Sequence, residues 1–376
     1  MISENKFIHI VCHDVPYPPD YGGVFDLFYK IKSLHRQGVK IKLHCFEYGR
    51  GQHAELNHYC VEVNYYRRRS KATSLSFRLP YIVSSRISHR LITNLQKDQY
   101  PVLLEGVHCT WPLYKSLLEN RQIFVRLHNT EYLYYRALAA AERNLYKKLY
   151  FIIESRLLHN YEKKIAQKAM FIAVSKDDMN TYTSEFGSNS IKYLPVFLPF
   201  DKVVSMEGTG TFCLYHGNLS VPENEKAAIW LLENIFDTLD IPLVIAGKNP
   251  SAHLKKAAEK NNNTCLVHDI TEKDMNELIR KAQIHILPSF NQTGVKIKLL
   301  QALYQGRFVI TNNEAVSGTE LHSLVSIANS VIELKELISS LFQKNFAEKD
   351  IIERDHFLKA VYNNTESAKT LMKWIW

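Results

Sequence analysis

The sequence lacks the features of a secreted, zinc-binding or membrane-spanning protein. Its six cysteines, at positions 12, 45, 60, 109, 213 and 265, are scattered and show no paired metal spacing. Three of them lie in apolar, strand-like runs, which indicates buried, reduced thiols in a cytosolic protein. The opening residues MISENKFIHIVCHD contain no basic segment followed by an apolar core, and no run reaches about 18 apolar residues. We therefore expect neither a signal peptide nor a transmembrane helix.

Acidic residues are absent from 63–97, and the net charge of the chain is +9. The basic residues of this stretch are Arg67, Arg68, Arg69, Lys71, Arg78, Arg86, Arg90 and Lys97. Two interpretations fit: a solvated charged face, or a patch that binds an anionic membrane or a polyanionic lipid, centred on Arg67, Arg68 and Arg69. Nucleic-acid binding is disfavoured, because no recognised nucleic-acid-binding module surrounds the stretch.

The length of 376 residues, with 46% apolar and 23% charged side chains, suggests two globular domains. Apolar runs predict strands at 7–12, 39–46, 102–104, 123–127 and 169–174, with helical periodicity at 24–37 and 132–168. A proline-rich segment near 193–203 is followed by a second alternation of predicted strands and helices. The strands are at 212–216, 243–246, 264–268, 284–288 and 308–311, and the helices are at 225–238, 252–260, 275–281 and 296–304. This alternation predicts an α/β protein with two doubly wound parallel sheets, which bind ligands at the carboxyl ends of their strands and in the cleft between two domains.

The first loop, from Pro16 to Gly23, joins a strand to a helix. Gly22 and Gly23 allow close backbone approach to a ligand, and the helix that follows offers unpaired N–H groups. A plain proline-rich turn is the alternative. The loop lacks the Gly-x-Gly-x-x-Gly spacing, which disfavours a Rossmann dehydrogenase.

A second candidate is RLHNTE (126–131), at the end of an apolar strand. His128 can donate a hydrogen bond to a sugar hydroxyl or a leaving phosphate, and Arg126 can hold negative charge. A structural histidine is the alternative.

The third candidate is SFNQTGVKIKLLQALYQGRFVIT (289–311), which predicts strand, glycine loop, helix and strand. Backbone N–H groups and two lysines, Lys296 and Lys298, lie at the predicted helix start, a place suited to phosphate. Because side chains at i and i+2 cannot point the same way on a helix, one lysine would face a phosphate and the other the surface.

Two strand ends, at Gly217 and His268, are weaker candidates; the second could meet a base edge through its backbone. Asn224 can cap a helix starting at residue 225. The sequence shows no zinc spacing, no Walker loop and no serine nucleophile elbow, so these residues by themselves lead only to phosphate binding between two domains.

In their order along the chain, these segments resemble the nucleotide-sugar glycosyltransferases of the GT-B fold, namely glycosyltransferase family 4 and its relatives. The matching segments are DVPYPPDYGGVFDLFYKIKSLHRQGVKI, RLHNTEY, KAMFIAVSKDDMN, LYHGNLSVPENEKAAIWLLENIF, LVIAGKNPS, VHDI and ILPSFNQTGVKIKLLQALYQGRFVITNNEAVSGTEL. The resemblance implies an N-terminal acceptor-binding Rossmann-like domain (1–198), a C-terminal donor-binding one (199–360), and a final helix (361–376) that packs back on the first.

The resemblance also implies residue roles. His128 would contact the transferred sugar as the catalytic residue. The donor diphosphate and sugar would be bound by Gly22, Gly23, Thr293, Gly294, Val295, Lys296 and Lys298, and the ribose and base by Gln301, His268 and Gly217.

The chain departs from the family pattern at three positions. Many members carry two glutamates eight positions apart where this chain has Thr293 and Gln301, and an arginine where it has Asn218. The neutral Gln301 can still bond a ribose hydroxyl, whereas Thr293 is too short to reach as a glutamate would. The phosphate clamp is then expected from Lys298, Lys296 or Lys226.

The leading hypothesis is a retaining hexosyltransferase that moves a hexose from a nucleotide-diphosphate sugar to a polysaccharide or lipid-linked glycan, in the cytoplasm or peripherally at the inner face of a membrane. We expect no cofactor and no metal requirement, because no Asp-x-Asp motif is present and lysines with helix dipoles can offset the phosphate charge. The altered donor motif leaves open a non-catalytic GT-B-like partner subunit. A nucleotide-sugar epimerase is a weaker alternative, because it would need acid/base carboxylates that we cannot nominate.

Overall fold

The computed structural model describes residues 6–19, 22–74 and 76–376. The chain divides into two compact units. The first comprises Met1–Arg136, Leu149–Pro199 and Tyr362–Trp376, and the second comprises Ala137–Lys148 and Phe200–Val361.

The first unit is built on a seven-stranded parallel sheet with the strand order β3-β2-β1-β4-β5-β6-β7. Its strands are β1 (Phe7–Cys12), β2 (Lys40–Glu47), β3 (Glu62–Arg67), β4 (Val102–Glu105), β5 (Ile123–Leu127), β6 (Met170–Ala173) and β7 (Ile191–Tyr193). The order runs outward from β1 in both directions, so the central strands β1, β4 and β5 end side by side. In open α/β sheets this reversal of strand order is where ligands bind.

Within the described residues, eight α-helices lie between the start of β1 and β7 along the chain. They are α1 (Gly22–Arg36), α2 (Lys71–Ser74), α3 (Tyr81–Ser84), α4 (His89–Leu95), α5 (Trp111–Tyr114), α6 (Glu131–Ala141), α7 (Leu145–Ile165) and α8 (Lys176–Phe186). In α1 the apolar residues Val24, Leu27, Ile31 and Leu34 are all 0% exposed, as their helical spacing predicts. The chain then turns at Gly38 (φ +82°), where a residue with a side chain would be strained.

The single helix predicted over 132–168 is wrong: the structure has two helices, α6 and α7. Between them the carboxylate of Glu142 accepts from the Asn144 N–H (2.8 Å), and the Asn144 side chain accepts from the Lys147 N–H (3.1 Å). The second bond caps the start of α7, as asparagine commonly does at a helix N-terminus. Apolar periodicity continues across this break, which explains why it did not show in the sequence.

The second unit holds a six-stranded parallel sheet of order β10-β9-β8-β11-β12-β13. Its strands are β8 (Cys213–Asn218), β9 (Leu243–Lys248), β10 (Thr264–His268), β11 (Ile284–Ile286), β12 (Phe308–Thr311) and β13 (Ser326–Ile327). The helices are α9 (Pro222–Asn234), α10 (Ala252–Ala258), α11 (Glu272–Lys281), α12 (Ile297–Gln305), α13 (Asn313–Val316), α14 (Val331–Phe342) and α15 (Glu348–Val361). The prediction of two doubly wound parallel sheets is confirmed.

The last helix, α16 (Asn364–Ile375), returns to the first unit. Its buried residues Ala368, Leu371 and Ile375 belong to the same apolar cluster as Val24 and Leu27 of α1. The expected return of the C-terminal helix is therefore confirmed. None of the helices in the described ranges combines the length and apolarity needed to cross a bilayer.

Candidate active site

The carboxyl ends of β1, β4 and β5 bring two histidines and a glutamate to one edge of the first sheet. His13 follows β1, Glu105 ends β4 and His128 follows β5. The His128 Nε2 atom lies 3.2 Å from the Glu105 carboxylate, and the His128 side chain is 14% exposed. Because a carboxylate can only accept a hydrogen bond, this contact assigns the proton of a neutral His128 ring to Nε2 and leaves Nδ1 as an acceptor.

A buried charge network lies behind His128. Asp26 accepts two hydrogen bonds from Arg126, through Nε (3.0 Å) and Nη2 (2.9 Å). Lys30 donates to Asp26 (2.8 Å) and to Glu105 (2.9 Å). All four of these side chains are at most 2% exposed. Burial alone would raise the pKa of Asp26, but Arg126 and Lys30 hold that pKa well below its usual value. The network fixes Glu105, and Glu105 in turn orients His128.

A cation could in principle be chelated at this edge of the first sheet by Asp26, Glu105 and His128, because one ligand atom of each residue lies within 4.8 Å of the others. However, the Lys30 ammonium already contacts both carboxylates, and Arg126 contacts Asp26. Two cationic side chains thus balance two carboxylates without a further charge. The arrangement suits a rigid support for His128 better than it suits a metal centre.

The glycines of the first loop lie at the start of α1. Gly22 is its first residue and Gly23 its second, one turn before Asp26. Asp20 and Tyr21, which belong to the same predicted loop, lie outside the described residues. Helix α1 is the first helix after β1, and His13 directly follows the last residue of that strand.

In the second unit, Lys298 of α12 reaches the end of β8. Its ammonium donates to the Asn224 side chain (2.9 Å) and lies 3.3 Å from the Tyr215 hydroxyl. The Asn224 amide also borders Gly217, where an added Cβ would lie 3.4 Å from Nδ2. Burial lowers the pKa of Lys298 to about 8, even though Glu223 acts in the opposite direction. The structure therefore brings Lys298 and Gly217 together through Asn224.

The predicted role of Asn224 as a helix cap is wrong. Helix α9 begins at Pro222, with Val221 before it, so Asn224 lies inside the first turn. Proline is favoured at this first helical position because its missing N–H would be unpaired there in any case. The Asn224 side chain is consequently available to donate to the Asn218 carbonyl (2.9 Å) and to accept from Lys298.

The loop before α12 is held by its own side chains. Asn291 accepts from both the N–H and the hydroxyl of Thr293 (2.9 Å each), and Thr293 is only 7% exposed. Gly294 follows at φ +65°, and Val295 is partly buried. Lys296 folds back onto the Thr293 carbonyl (2.6 Å). The two lysines therefore contact different neighbours, and Lys298 is the one that reaches the strand edge.

Two of the predicted ribose and base contacts, Gln301 and His268, bond to other residues of the protein. Gln301 donates to Asn276 of α11 (3.0 Å). His268, at the end of β10, contacts Asp269 (2.7 Å), and its side chain is 36% exposed. Both side chains lie in the second unit and already have protein partners, so their roles toward a ribose or base stay predictions.

The three consecutive arginines do not share one surface. Arg67 and Arg69 are exposed, and Arg69 donates to the Thr73 carbonyl (2.8 Å). Arg68 turns inward, with its guanidinium 4.2 Å from the centre of the Tyr48 ring. Arg86, from the same basic stretch, is only 4% exposed. The solvated-face interpretation therefore fails for Arg86.

Sequence reasoning missed Asp26, Lys30 and Glu105. A signal for the first two was present, because a charged pair at i and i+4 occurs on the apolar face of α1, beside Leu27 and Ile31. Such a pair on a buried face requires partners from elsewhere. Glu105 has the weaker signal of an acid directly after the apolar run of β4.

Residues 210–343 match the family model described as Glycosyl transferases group 1. This part of the chain contains Gly217, Asn224, the 289–296 loop and Lys298. Among curated proteins, an "uncharacterized 44.6 kDa protein in cps region" of Klebsiella pneumoniae is 29% identical over 362 residues, covering 90% of this chain and 92% of that protein.

Several solved structures have a fold similar to that of this chain. WaaG, a glycosyltransferase involved in lipopolysaccharide biosynthesis, aligns with TM-score 0.67 at 13% identity, covering 98% of this chain and 99% of WaaG. HepE of Anabaena, solved in complex with UDP and glucose, aligns with TM-score 0.62 at 11% identity and 99% coverage of each chain. The fold of this chain is GT-B, and with the group 1 match the comparisons support a glycosyltransferase.

Proposed function

We propose that this chain is a retaining glycosyltransferase that moves a hexose from a nucleotide-diphosphate sugar to a polysaccharide or lipid-linked glycan. The observation that carries the proposal is Lys298, a partly buried ammonium aimed at the carboxyl end of β8, within the part of the chain that matches the group 1 glycosyltransferases. Among the residues that the structure describes, no carboxylate bonds to Lys298, and a partly buried cation of this kind is suited to bind an anionic ligand.

The surroundings of Lys298 support a diphosphate as that ligand. Helix α12 begins directly after Lys296, so its first N–H groups lack intrahelical partners and carry the positive end of the helix dipole. Gly294 (φ +65°) keeps the preceding loop free of a side chain. Lys298 and the N-terminus of α12 would therefore supply the positive charge that the usual arginine supplies in the family and that Asn218 lacks.

The proposed reaction exchanges one bond to the anomeric carbon for another. The bond from this carbon to the diphosphate oxygen breaks, the bond to the acceptor oxygen forms, and the acceptor proton leaves with the departing diphosphate. The protein supplies no nucleophile. Lys298 and the α12 N-terminus stabilise the leaving diphosphate. His128, held by Glu105 through its Nε2–H, accepts a hydrogen bond at Nδ1 from a hydroxyl of the transferred sugar. Because these cations offset the phosphate charge, the proposal requires no metal and no cofactor.

The acceptor class is supported by the relatives. The Klebsiella protein is named for its cps region, and WaaG for lipopolysaccharide biosynthesis. We therefore place the acceptor among bacterial surface glycans or their lipid-linked precursors, and the enzyme in the cytoplasm.

Lys298→Met tests the donor site. A charge-assisted hydrogen bond contributes about 1.5–3 kcal/mol, so the Kd for the nucleoside diphosphate that the wild type binds should rise about 10- to 100-fold. Because the pKa of Lys298 is about 8, the ammonium is charged below pH 8 and neutral above it. Wild-type affinity should thus fall by up to about tenfold between pH 7 and 9, whereas the variant should lose less. Calorimetric titration measures both effects.

Lys281→Met is the matched control, because Lys281 is exposed and paired with Glu277. Its Kd should equal that of the wild type. Equal Kd values for Lys298→Met and the wild type would show that Lys298 does not hold the diphosphate.

A non-catalytic GT-B partner subunit is the second candidate. It is favoured by two observations: the Thr293 hydroxyl is bonded to Asn291, and Gln301 is bonded to Asn276, so neither is poised as the usual glutamates would be. This candidate predicts that no nucleoside diphosphate binds to the folded chain.

Peripheral membrane contact through Arg67 and Arg69 is also proposed. Phe77, eight positions after Arg69 in the sequence, is fully exposed, and a segment that carries both an exposed aromatic side chain and exposed arginines is suited to an anionic bilayer surface. With about 1 kcal/mol for each arginine near the surface, Arg67→Ser with Arg69→Ser should weaken sedimentation with phosphatidylglycerol-containing vesicles about thirtyfold. Arg36→Ser with Lys40→Ser, two other exposed cations of the first unit, is the control. Equal vesicle binding by both double variants would rule out this patch.

A further inference from the structure

Two arginines of the first unit lie close together with no acid between them. Arg68 follows β3 and Arg86 follows α3, and both reach the Ser85 hydroxyl, at 3.2 Å and 3.5 Å. The Tyr48 ring faces both guanidinium groups, 4.2 Å from Arg68 and 5.9 Å from Arg86. Within the described ranges, neither guanidinium forms an ion pair with a carboxylate. Like charges held this close repel each other unless an anion lies between them.

Much of the hydrogen-bonding capacity of these arginines is unused. Arg86 donates through Nε to the His13 carbonyl and through Nη1 to the Ile82 carbonyl (2.8 Å each). Its Nη2, and both terminal nitrogens of Arg68, donate to none of the residues that the structure describes. Arg86 is nevertheless only 4% exposed. An anionic ligand that reached this free N–H edge would bind to it strongly, because the rest of the guanidinium is shielded from water.

Burial, followed by the charge of Arg68, lowers the pKa of Arg86, whereas Asp14 acts weakly in the opposite direction. One Asp14 carboxylate oxygen accepts from the Val15 N–H (2.8 Å). Stacking on Tyr48 accounts for the position of Arg68, but it does not account for Arg86, whose guanidinium lies farther from the ring.

Two partly buried histidines adjoin the arginine pair. The rings of His13 and His108 stack at 4.9 Å, and the His13 ring lies 5.6 Å from the His128 ring. The Nδ1 atoms of His13 and His108 are buried and have no hydrogen-bond partner among the described residues. Burial is the main cause that lowers the pKa of each ring, and the charge of Arg86 lowers both further. Polar groups buried without partners are rare in proteins and commonly mark ligand positions.

We propose that Arg68, Arg86, His13 and His108 form a phosphoryl-binding subsite beside His128, and that the acceptor carries a phosphate near the hydroxyl that receives the sugar. A phosphoryl group fits better than a carboxylate, because its three oxygens can accept from several donors that approach from different directions. The assignment to the acceptor rests on the proposed glycosyltransferase function. A sugar phosphate and a lipid-linked diphosphate share this chemistry.

The test is calorimetric titration of the full chain with glucose 6-phosphate, geranyl diphosphate and glucose. At least one phosphorylated probe should bind more tightly than glucose, and Arg86→Met should raise its Kd about 10- to 100-fold, the effect of losing a charged hydrogen bond. The exposed Arg36→Met is the control and should bind as the wild type does. Binding of glucose 6-phosphate indicates a sugar phosphate, and binding of geranyl diphosphate alone indicates a lipid-linked acceptor.

Arg68→Met repeats the test on a partly exposed side chain, in case the buried Arg86 is required for folding. The same variants are titrated with the nucleoside diphosphate that the wild type binds, and its Kd should not change. If neither phosphorylated probe binds better than glucose while a nucleoside diphosphate does bind, the phosphoryl subsite is wrong and the proposed function stands. If a phosphorylated probe binds through Arg86 and no nucleoside diphosphate binds, the subsite stands and the glycosyltransferase proposal is wrong.

Discussion

Asp26→Ala should lower the free energy of unfolding by about 3–5 kcal/mol, the usual effect of removing one member of a buried ion pair. The substitution removes both carboxylate bonds to Arg126 and one bond to Lys30, and it leaves two cations that are 1% exposed without this partner. The backbone N–H of Phe197 also loses its acceptor at 2.9 Å.

Urea unfolding of Asp26→Ala and the wild type measures this difference. Glu366→Ala is the matched control, because its ion pair with Lys369 (2.8 Å) is exposed, and such pairs contribute at most about 1 kcal/mol. Asp26→Asn keeps the shape and one acceptor and should fall between the two. A loss below about 1 kcal/mol for Asp26→Ala would mean that the network does not support the first sheet.

His128→Ala should lower kcat about 10²- to 10³-fold, the range found when one hydrogen bond to the transition state is removed. The reason is that Nδ1 of His128 is proposed to accept from a hydroxyl of the transferred sugar, and this bond strengthens as positive charge develops at the anomeric carbon of that sugar. The Kd of His128→Ala for the nucleoside diphosphate should stay within about twofold of the wild-type Kd, because the diphosphate contacts are assigned to Lys298 and α12.

Rates of transfer or of nucleotide-sugar hydrolysis measure the effect on catalysis, and the Kd of the nucleotide measures the effect on donor binding. The melting temperature of His128→Ala serves as the folding control, and a value near that of the wild type is expected, since His128 is partly exposed and makes one contact to Glu105. His128→Asn retains both an N–H donor for Glu105 and an acceptor oxygen, and it should recover part of the rate. An unchanged kcat in His128→Ala would remove this residue from the mechanism.

The sheets could be predicted from sequence because their signals are local. Continuous apolar runs gave the central strands, and helical spacing of Val24, Leu27 and Ile31 gave α1. Three strands, β3, β7 and β13, were missed. The last two, with three and two residues, are too short to carry a periodic pattern, and β3 has one buried residue among its six. The break between α6 and α7 was missed because it depends on two side-chain bonds of Glu142 and Asn144.

The site was less predictable, because its contacts join distant segments. Asp26 and Arg126 are 100 positions apart, and Lys298 and Asn224 are 74 apart. The sequence could indicate that only one of Lys296 and Lys298 would face a phosphate, but the choice depends on whether a side chain reaches Thr293 or Asn224. Arg86 looked like part of a charged face because its neighbours in sequence are basic, and its burial among the residues that follow β1 depends on the fold.

The central claim, that this chain binds a nucleotide-diphosphate donor, is tested most directly by the melting temperature of the wild-type protein with UDP, GDP, ADP and CMP and with their sugar conjugates. A ligand that binds only the folded state raises that temperature by mass action. We predict a clear rise with one of these nucleotides, which would identify the donor base. The absence of a rise with all of them, in a protein shown to be folded, would contradict the claim and favour the non-catalytic partner subunit.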